Sequence, residues 1–458
     1  MPDAPLLQTD NDHQPRAARR QPRLESASQQ DLRERLHAVI PGGAHTYAKG
    51  DDQWPAEAPA LLTHGKGCRV WDADGNEFLE YGMGLRAVAL GHAYDPVIAA
   101  AERALRTGSN FTRPALAELE CAEAFLEIVG SADMVKFTKD GSTANTAAVT
   151  LARAYTRRDL IAVCGDHPFF SYDDWFFCTT EMDAGVPASA RALTLSFRYN
   201  DTESLERLFA EHPGRIACVV LEPERDEQPR DGFLHAVREV CTREGAVYIL
   251  DEMITGFRWK LGGAHAEYGV DPDLSTFGKA MANGFALSAL AGRRELMERG
   301  GIRHDAERVF LLSTTHGAES HALAAAIATM KVYRDEDVIG DLHAAGRSLR
   351  LQVESAAAAA GVSEHFQVVG RDCNLTYRTL DTERRPSQAF RTLLLQELVR
   401  RGILAPSFVV SRAHDEAALA MTAQAVAEAL EVYARALEDG VDRYLAGPYV
   451  KPVYRRFN

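Results

Sequence analysis

Cysteine is scarce and scattered. The seven cysteines, at positions 68, 121, 164, 178, 218, 241 and 373, form no C-x-x-C pair and have no histidine at metal-ligand spacing. That excludes a disulfide framework and a structural zinc site, no other metal site suggests itself, and reduced thiols in the cytoplasm are expected. Long apolar runs are missing as well: none approaches the roughly 20 residues needed to span a bilayer. Positive charge is in deficit, since 51 Lys and Arg against 65 Asp and Glu leave a formal charge of -14. This argues against generic binding to nucleic acid or anionic membrane. The opening "MPDAPLLQTDNDHQPRAARRQPRLESASQQ" carries Arg19-Arg20 but no apolar segment after it. Residues 1–30 therefore read as a flexible arm rather than a secretion signal.

What remains is an ordinary globular composition, 46% hydrophobic and 25% charged over 458 residues. That length is too great for one simple core. From about Asp31 the pattern becomes structured. "CRVWD" and "EFLEY" are short strands around an Asp-Gly turn, and "DPVIAAAERALRTG" is a helix with a glycine stop. "DMVKFTK", "LIAVCG", "IACVVLEP" and "AVYILDE" are continuously apolar strands, with "GSTANTAAVTLARAYT" and "GFLHAVREVCTREG" as helices between them. The alternation predicts an α/β fold with a mostly parallel sheet covered on both faces, and ligands at the carboxyl ends of its strands. After about residue 320 the chain turns mostly helical, with strand-like pieces at "HFQVVGRDCNLTYRT" and "GILAPSFVVS". The alanine run 356–360 reads as helix.

Three features carry chemistry. In "KFTKDGSTANTAAV" a strand leads through Asp140, Gly141, Ser142 and Thr143 into a helix, whose first N–H groups favour an anion. The same turn is also what plain N-capping gives. Asp251 closes the apolar strand "AVYIL", either as a simple strand terminator or as a carboxylate facing a ligand crevice. Lys279 lies in "STFGKAMANG" among small residues that leave room for a bulky adduct on a desolvated amine. A lone lysine would be surface charge. In this order on an α/β chain, the three features meet what pyridoxal phosphate requires. They supply a phosphate cup, an acid that keeps the pyridine cationic, and an amine for a Schiff base.

The chain resembles the class III, fold-type I pyridoxal-phosphate aminotransferases, in the branch of glutamate-1-semialdehyde 2,1-aminomutase. The resemblance covers roughly residues 30 to 440 and rests on "PGG" (41–43), "LGH" (90–92), "ARAYTRRD" (152–159), "LEP" (221–223), "LDEMITGFR" (250–258), "FGKAMANG" (277–284) and "LAPS" (404–407). It implies a segment over 31–100 that packs with a small α+β domain over 326–458, around a large cofactor domain over 101–325. It also implies Lys279 as the Schiff-base lysine, Asp251 as the pyridine partner, and Met253, on the same strand, against the ring. Gly141, Ser142 and Thr143 are placed at the phosphate, and Glu222 of "LEP" joins the cofactor site. Thr314 or Thr315 of "STTHG" would complete the phosphate site of a neighbouring subunit, so a homodimer is implied. His167 of "GDHPFF" falls where the aminomutase has a stacking aromatic, and a loop histidine is the other reading.

The departures bear on substrate. Lys49 stands where the aminomutase has a carboxylate-binding arginine, and lysine lacks the planar fork. Leu85 and Arg86 replace a Trp-Gly pair, and Ala144 and Asn145 follow the cup where an acid is usual. Glu224, Asp226 and Glu227 are either solvated loop charge or an acidic mouth favouring a cationic substrate. These features predict an aminotransferase moving an amino group from an amino-acid donor to a carbonyl of a larger metabolite, with an amino-sugar or aminoglycoside aldehyde of antibiotic or polysaccharide biosynthesis as the leading acceptor. Alternatives are the aminomutase, an epimerase of an amine-bearing carbon, and a non-catalytic cofactor-binding scaffold.

Overall fold

The computed structural model describes residues 28–457. Most of the arm expected over 1–30 lies outside the described residues, but its last positions are helical. Ser28 caps the helix Gln29–Val39, its side chain accepting from the Asp31 N–H and the Asp31 side chain reaching back.

Near the start of the chain, β1 (Leu62–Lys66), β2 (Arg69–Asp72) and β3 (Glu77–Glu80) form an antiparallel meander. The central layer holds β4 (Met134–Thr138), β5 (Leu160–Cys164), β6 (Thr194–Phe197), β7 (Ile216–Leu221), β8 (Val247–Asp251), β9 (Leu274–Phe277) and β10 (Ser288–Gly292). Their order in the sheet is β4-β10-β9-β8-β7-β5-β6. All neighbours are parallel except β10, which runs against both β4 and β9. Farther on, β11 (Phe366–Val369) pairs with β12 (Thr376–Thr379), and β13 (Ile403–Leu404) joins the first sheet beside β3.

The continuous apolar runs follow from burial on both sides. Ile161 and Val163 of β5 pack with Ala148 and Leu151 of the helix Gly141–Thr156 on one face. Leu160, Ala162 and Cys164 turn to the opposite face, among Phe209, Val237 and Cys241 of the other covering helices. Successive side chains of a strand point to opposite faces, so a two-sided sheet needs no polar alternation. A third core runs from Cys68 and Leu79 through Phe257 and Phe277 to Leu394 and Tyr433, knitting the two ends of the chain to the central layer.

"GILAPSFVVS" is strand over Ile403–Leu404 alone. The residues that follow, Ala405, Phe408, Val409 and Val410, are buried by packing, with a single bridge from Phe408 to Leu375. The alanine run falls in the helix Val338–Ala359, as its propensity predicts.

Candidate active site

Five strands deliver polar residues at one edge of the sheet. The helix Gly141–Thr156 follows β4, His167 follows β5, Glu222 follows β7, Asp251 ends β8 and Lys279 follows β9. The register pairs Asp251 with Thr276, so the carboxylate lies beside the strand end that leads into the lysine turn. This is the carboxyl-end crevice where ligands of parallel sheets sit.

Asp251 is only 3% exposed. Its Oδ1 accepts from the Met253 N–H at 2.8 Å and its Oδ2 from Asn145 Nδ2 at 2.7 Å. Asn145 is equally committed: Nδ2 also donates to the Phe170 carbonyl at 2.8 Å, and Oδ1 accepts from Thr276 Oγ1 at 2.7 Å. Burial, and then the nearby Glu222 carboxylate, push the Asp251 carboxyl up to about 7, against the opposing pull of Lys279. A cationic ring nitrogen at this carboxylate would restore its charge.

Lys279 opens a short turn, Lys279–Ala282, with φ at 45°. That left-handed conformation is rare away from glycine and clusters at functional sites. Burial lowers the pKa of its amine, while Asp251 and Glu222 act in the opposite sense. A part of the residue stays accessible. A Cβ on Gly278 would stand 2.5 Å from Ser288 Oγ and 2.7 Å from Met253 Sδ, and one on Gly141 2.8 Å from the same sulfur. The Met253 thioether thus fills the floor between the helix start and the lysine turn. Met253 was expected on the strand with Asp251; β8 ends at Asp251, and Met253 lies in the turn beyond, turned back by its own N–H bond to that carboxylate.

At the helix start both readings of the turn apply, to different residues. Asp140 caps the helix: Thr143 donates to its carboxylate through N–H at 2.8 Å and through Oγ1 at 3.0 Å. Thr143, also expected at the phosphate, is thus engaged with Asp140 within the chain. Gly141 and Ser142 carry the remaining first-turn N–H groups, and Ser142 is buried.

His167, 4% exposed, accepts the Glu222 N–H at Nδ1, 3.1 Å away, which puts its proton on Nε2. Burial lowers its pKa. It is a buried ring in the bend after β5, beside Tyr199 with centroids 5.0 Å apart. Glu222, 3% exposed, accepts from Arg225 at Oε1, 3.0 Å away, while its Oε2 has no partner among the described residues. A buried unpaired carboxylate oxygen is costly and calls for a donor from a ligand.

Of the three acids read either as solvated loop charge or as an acidic mouth, Asp226 is exposed and the other two are paired within the chain. Glu224 is 2% exposed and gripped by Arg371, with Nε on Oε1 at 3.1 Å and NH2 on Oε2 at 2.8 Å, and Tyr268 donates to it as well. Glu227 pairs with Arg230 on the surface. A bidentate arginine offsets the charge of Glu224, which weakens the grounds for a cationic acceptor. Lys49 is exposed in the turn Tyr47–Lys49, and its acidic neighbours are taken, Asp51 by Arg33 and His37, Asp52 by Arg455. Thr314 and Thr315 are exposed, with the Thr315 carbonyl held by Asn110. Leu85 and Arg86 belong to a left-handed turn that packs against the lysine turn.

Thr276, Arg225 and Arg371, and the bonding role of Asn145, escaped the sequence reading. Arg225 stands next to the "LEP" motif and could have been noticed there; the others act across long sequence separations and leave no local signal.

A cradle closed by glycines, an orphaned Glu222 oxygen, a depressed lysine and a carboxylate awaiting a cation fit pyridoxal phosphate. Residues 51–166 and 179–432 match the class-III aminotransferase family. The chain is 32% identical over 372 residues to glutamate-1-semialdehyde 2,1-aminomutase of Nitrosospira multiformis, covering 76% of this chain and 85% of that protein. The structure of FumI protein from Sphingopyxis sp. MTA144, in its PLP internal aldimine form, superposes with a TM-score of 0.81 at 28% identity, covering 90% of this chain and 97% of that one. An omega-transaminase from Sphaerobacter thermophilus gives a TM-score of 0.79 at 27% identity, over 90% and 99% of the two chains. The chain belongs to the class III aminotransferases, fold-type I enzymes that use pyridoxal phosphate.

Proposed function

We propose that this enzyme moves an amino group from an amino-acid donor to the carbonyl of a second metabolite, with Lys279 as both covalent anchor and proton carrier. The observation that carries this reading is the convergence of Lys279 and Asp251 at neighbouring strand ends, both pKa values displaced by burial. Pyridoxal phosphate, when bound, supplies an electron sink for the pair left as a proton departs from the substrate carbon.

The chain's residues do the rest. Asp251, ionised against a cation, holds the ring nitrogen protonated, and Asn145 and the Met253 N–H keep both its oxygens in place. Met253 and His167 would lie against the ring, and Glu222 would offer its unpaired Oε2 to a donor on the cofactor. The Gly141 and Ser142 N–H groups hold the phosphate together with Thr314 or Thr315 of a second copy in a homodimer. Lys279, with its lowered pKa, takes the proton from the substrate carbon as a neutral base and returns it as an acid. No described helix is long and apolar enough to cross a membrane, and the seven unpaired thiols suit the cytoplasm.

The likeness to an aminomutase favours one second reading, exchange of amino and carbonyl groups within one molecule. Separate amine donors and carbonyl acceptors, assayed alone and together with products identified by mass, distinguish the two. Transfer requires a donor and an acceptor and yields two products. Conversion of glutamate-1-semialdehyde to its isomer, with no donor added, would replace transfer by the mutase reaction.

A further inference from the structure

Residues 83–86 form a left-handed turn in a chain of L-residues. Met83, Gly84, Leu85 and Arg86 have φ of 44°, 59°, 58° and 75°. Only one of the four is glycine, and each of the others is disfavoured there by the contact of Cβ with the carbonyl. The turn is held from outside. Arg258, fully buried, donates from NH2 to the Arg86 carbonyl at 3.1 Å, and from NH1 to the carbonyls of Cys373 and Val410. The segment that follows is tied to the lysine turn, where Asn283 accepts from the Leu90 N–H at 2.9 Å and donates to the Gly91 carbonyl at 3.1 Å. A strained turn clamped this firmly is positioned for something.

What it positions is the Arg86 side chain. Its Nε donates to Asn374 Oδ1 at 2.7 Å, and Asn374 is itself buried. No carboxylate pairs with Arg86 among the described residues, whereas Arg225 pairs with Glu222, and Arg371 with Glu224 and Glu267. With Nε engaged, the end-on fork of NH1 and NH2 remains. Burial, together with Arg225 and Arg258, lowers the Arg86 pKa to about 10 against the opposing pull of Glu222 and Asp226, and Arg86 is among the cations that lower that of Lys279. A half-buried cation that acts on the Lys279 amine, with no carboxylate in contact with its fork, is open to an anion.

We propose that Arg86 is the substrate-carboxylate site of this enzyme, its NH1 and NH2 gripping the carboxylate of the amino-acid donor while Asn374 fixes the guanidinium plane. The two parallel bonds of such a fork set orientation as well as affinity. Arg86 thereby restores, from another part of the chain, the clamp that Lys49 at the end of its turn does not provide. This rests on the aminotransferase reading for the identity of the ligand, but the site can be tested without turnover.

The test uses the holoenzyme and two variants, Arg86→Gln and Arg86→Lys. Glutarate, an unreactive dicarboxylate, is titrated calorimetrically, and single-turnover rates are compared for amino acids and their decarboxylated amines. Glutarate should bind the native enzyme and weaken at least about tenfold in Arg86→Gln, with Arg86→Lys intermediate because it keeps charge without the fork. The discrimination in kcat/KM between each amino acid and its amine should collapse by a similar factor, chiefly through KM. Glutarate that fails to bind, or binds all three proteins alike, overturns the proposal. So does an equal loss on amino acid and amine, which marks Arg86 as merely structural. If no amine of either kind reacts with the native enzyme, the aminotransferase reading fails, while the glutarate titration still decides the role of Arg86.

Discussion

Asp251 and Asn145 were unequally visible in the sequence. A carboxylate closing an apolar strand announces itself, because the strand end of a parallel sheet faces the crevice. Asn145 read only as a missing acid after the cup, since its bonds to Asp251 and Thr276 join residues 106 and 131 positions away. The same holds for Glu224, whose charge looked available until Arg371, 147 positions on, was seen to take it. Charge is legible in a sequence, whereas its neutralisation by a distant partner is not. Both Asp251 oxygens accept hydrogen bonds, so Asp251→Asn must turn its amide nitrogen toward one of two donors as well as lose its charge. Removal of one preorganised electrostatic group commonly costs about 100- to 1,000-fold in rate, and a loss at least that large is expected in single-turnover amine half-reactions. Turnover within a few-fold of native would assign the ring nitrogen to another residue.

Among the elements, the fully buried strands were the most legible, because they must be apolar on both faces. The two-residue β13 was the least, since "GILAPSFVVS" is apolar through burial against other elements rather than through ladder bonding. The Met253 turn was misread for a related reason: nothing local says that its N–H would turn back to the Asp251 carboxylate. Likewise hidden was the contact of the helix Val338–Ala359 with the turn 371–374. There a Cβ on Gly346 would stand 1.7 Å from the Asp372 carbonyl oxygen. That turn carries both Arg371, which neutralises Glu224, and Asn374, which holds Arg86. Gly346→Ala must push backbone from backbone, and overpacking of this kind typically costs about 1–3 kcal/mol. A lowered thermal midpoint together with weaker glutarate binding is expected, and an unchanged midpoint would show that the helix and turn separate freely.

On the scale of the whole molecule, stability couples to pH through a buried histidine outside the proposed chemistry. His414 is 4% exposed, accepts the Ser411 N–H at Nδ1, 2.9 Å away, and packs tilted against the Tyr81 ring. Burial depresses its pKa from 6.5 to about 4. The unfolded chain therefore takes up a proton on this residue near pH 6.5, and the folded chain only near 4. The native state keeps its full advantage above 6.5 and loses it progressively as pH falls to 4, a change on the order of 3 kcal/mol. Urea unfolding between those limits should lose less stability in His414→Phe than in the native chain. Equal slopes would show that His414 takes up its proton alike in both states.

The outline of the molecule, an α/β sheet with Lys279 and Asp251 at the carboxyl edge, could be read from ordered short motifs. The assignment of charge around the site could not, because it depends on arginines from three separate segments. Everything proposed for the chemistry depends on Lys279 being the covalent anchor. Reduction of the holoenzyme with borohydride, followed by digestion and mass mapping of the pyridoxyl adduct, tests this most directly. The adduct is expected on Lys279 at about one per chain and should be absent from Lys279→Ala. A stoichiometric adduct on any other lysine would contradict it.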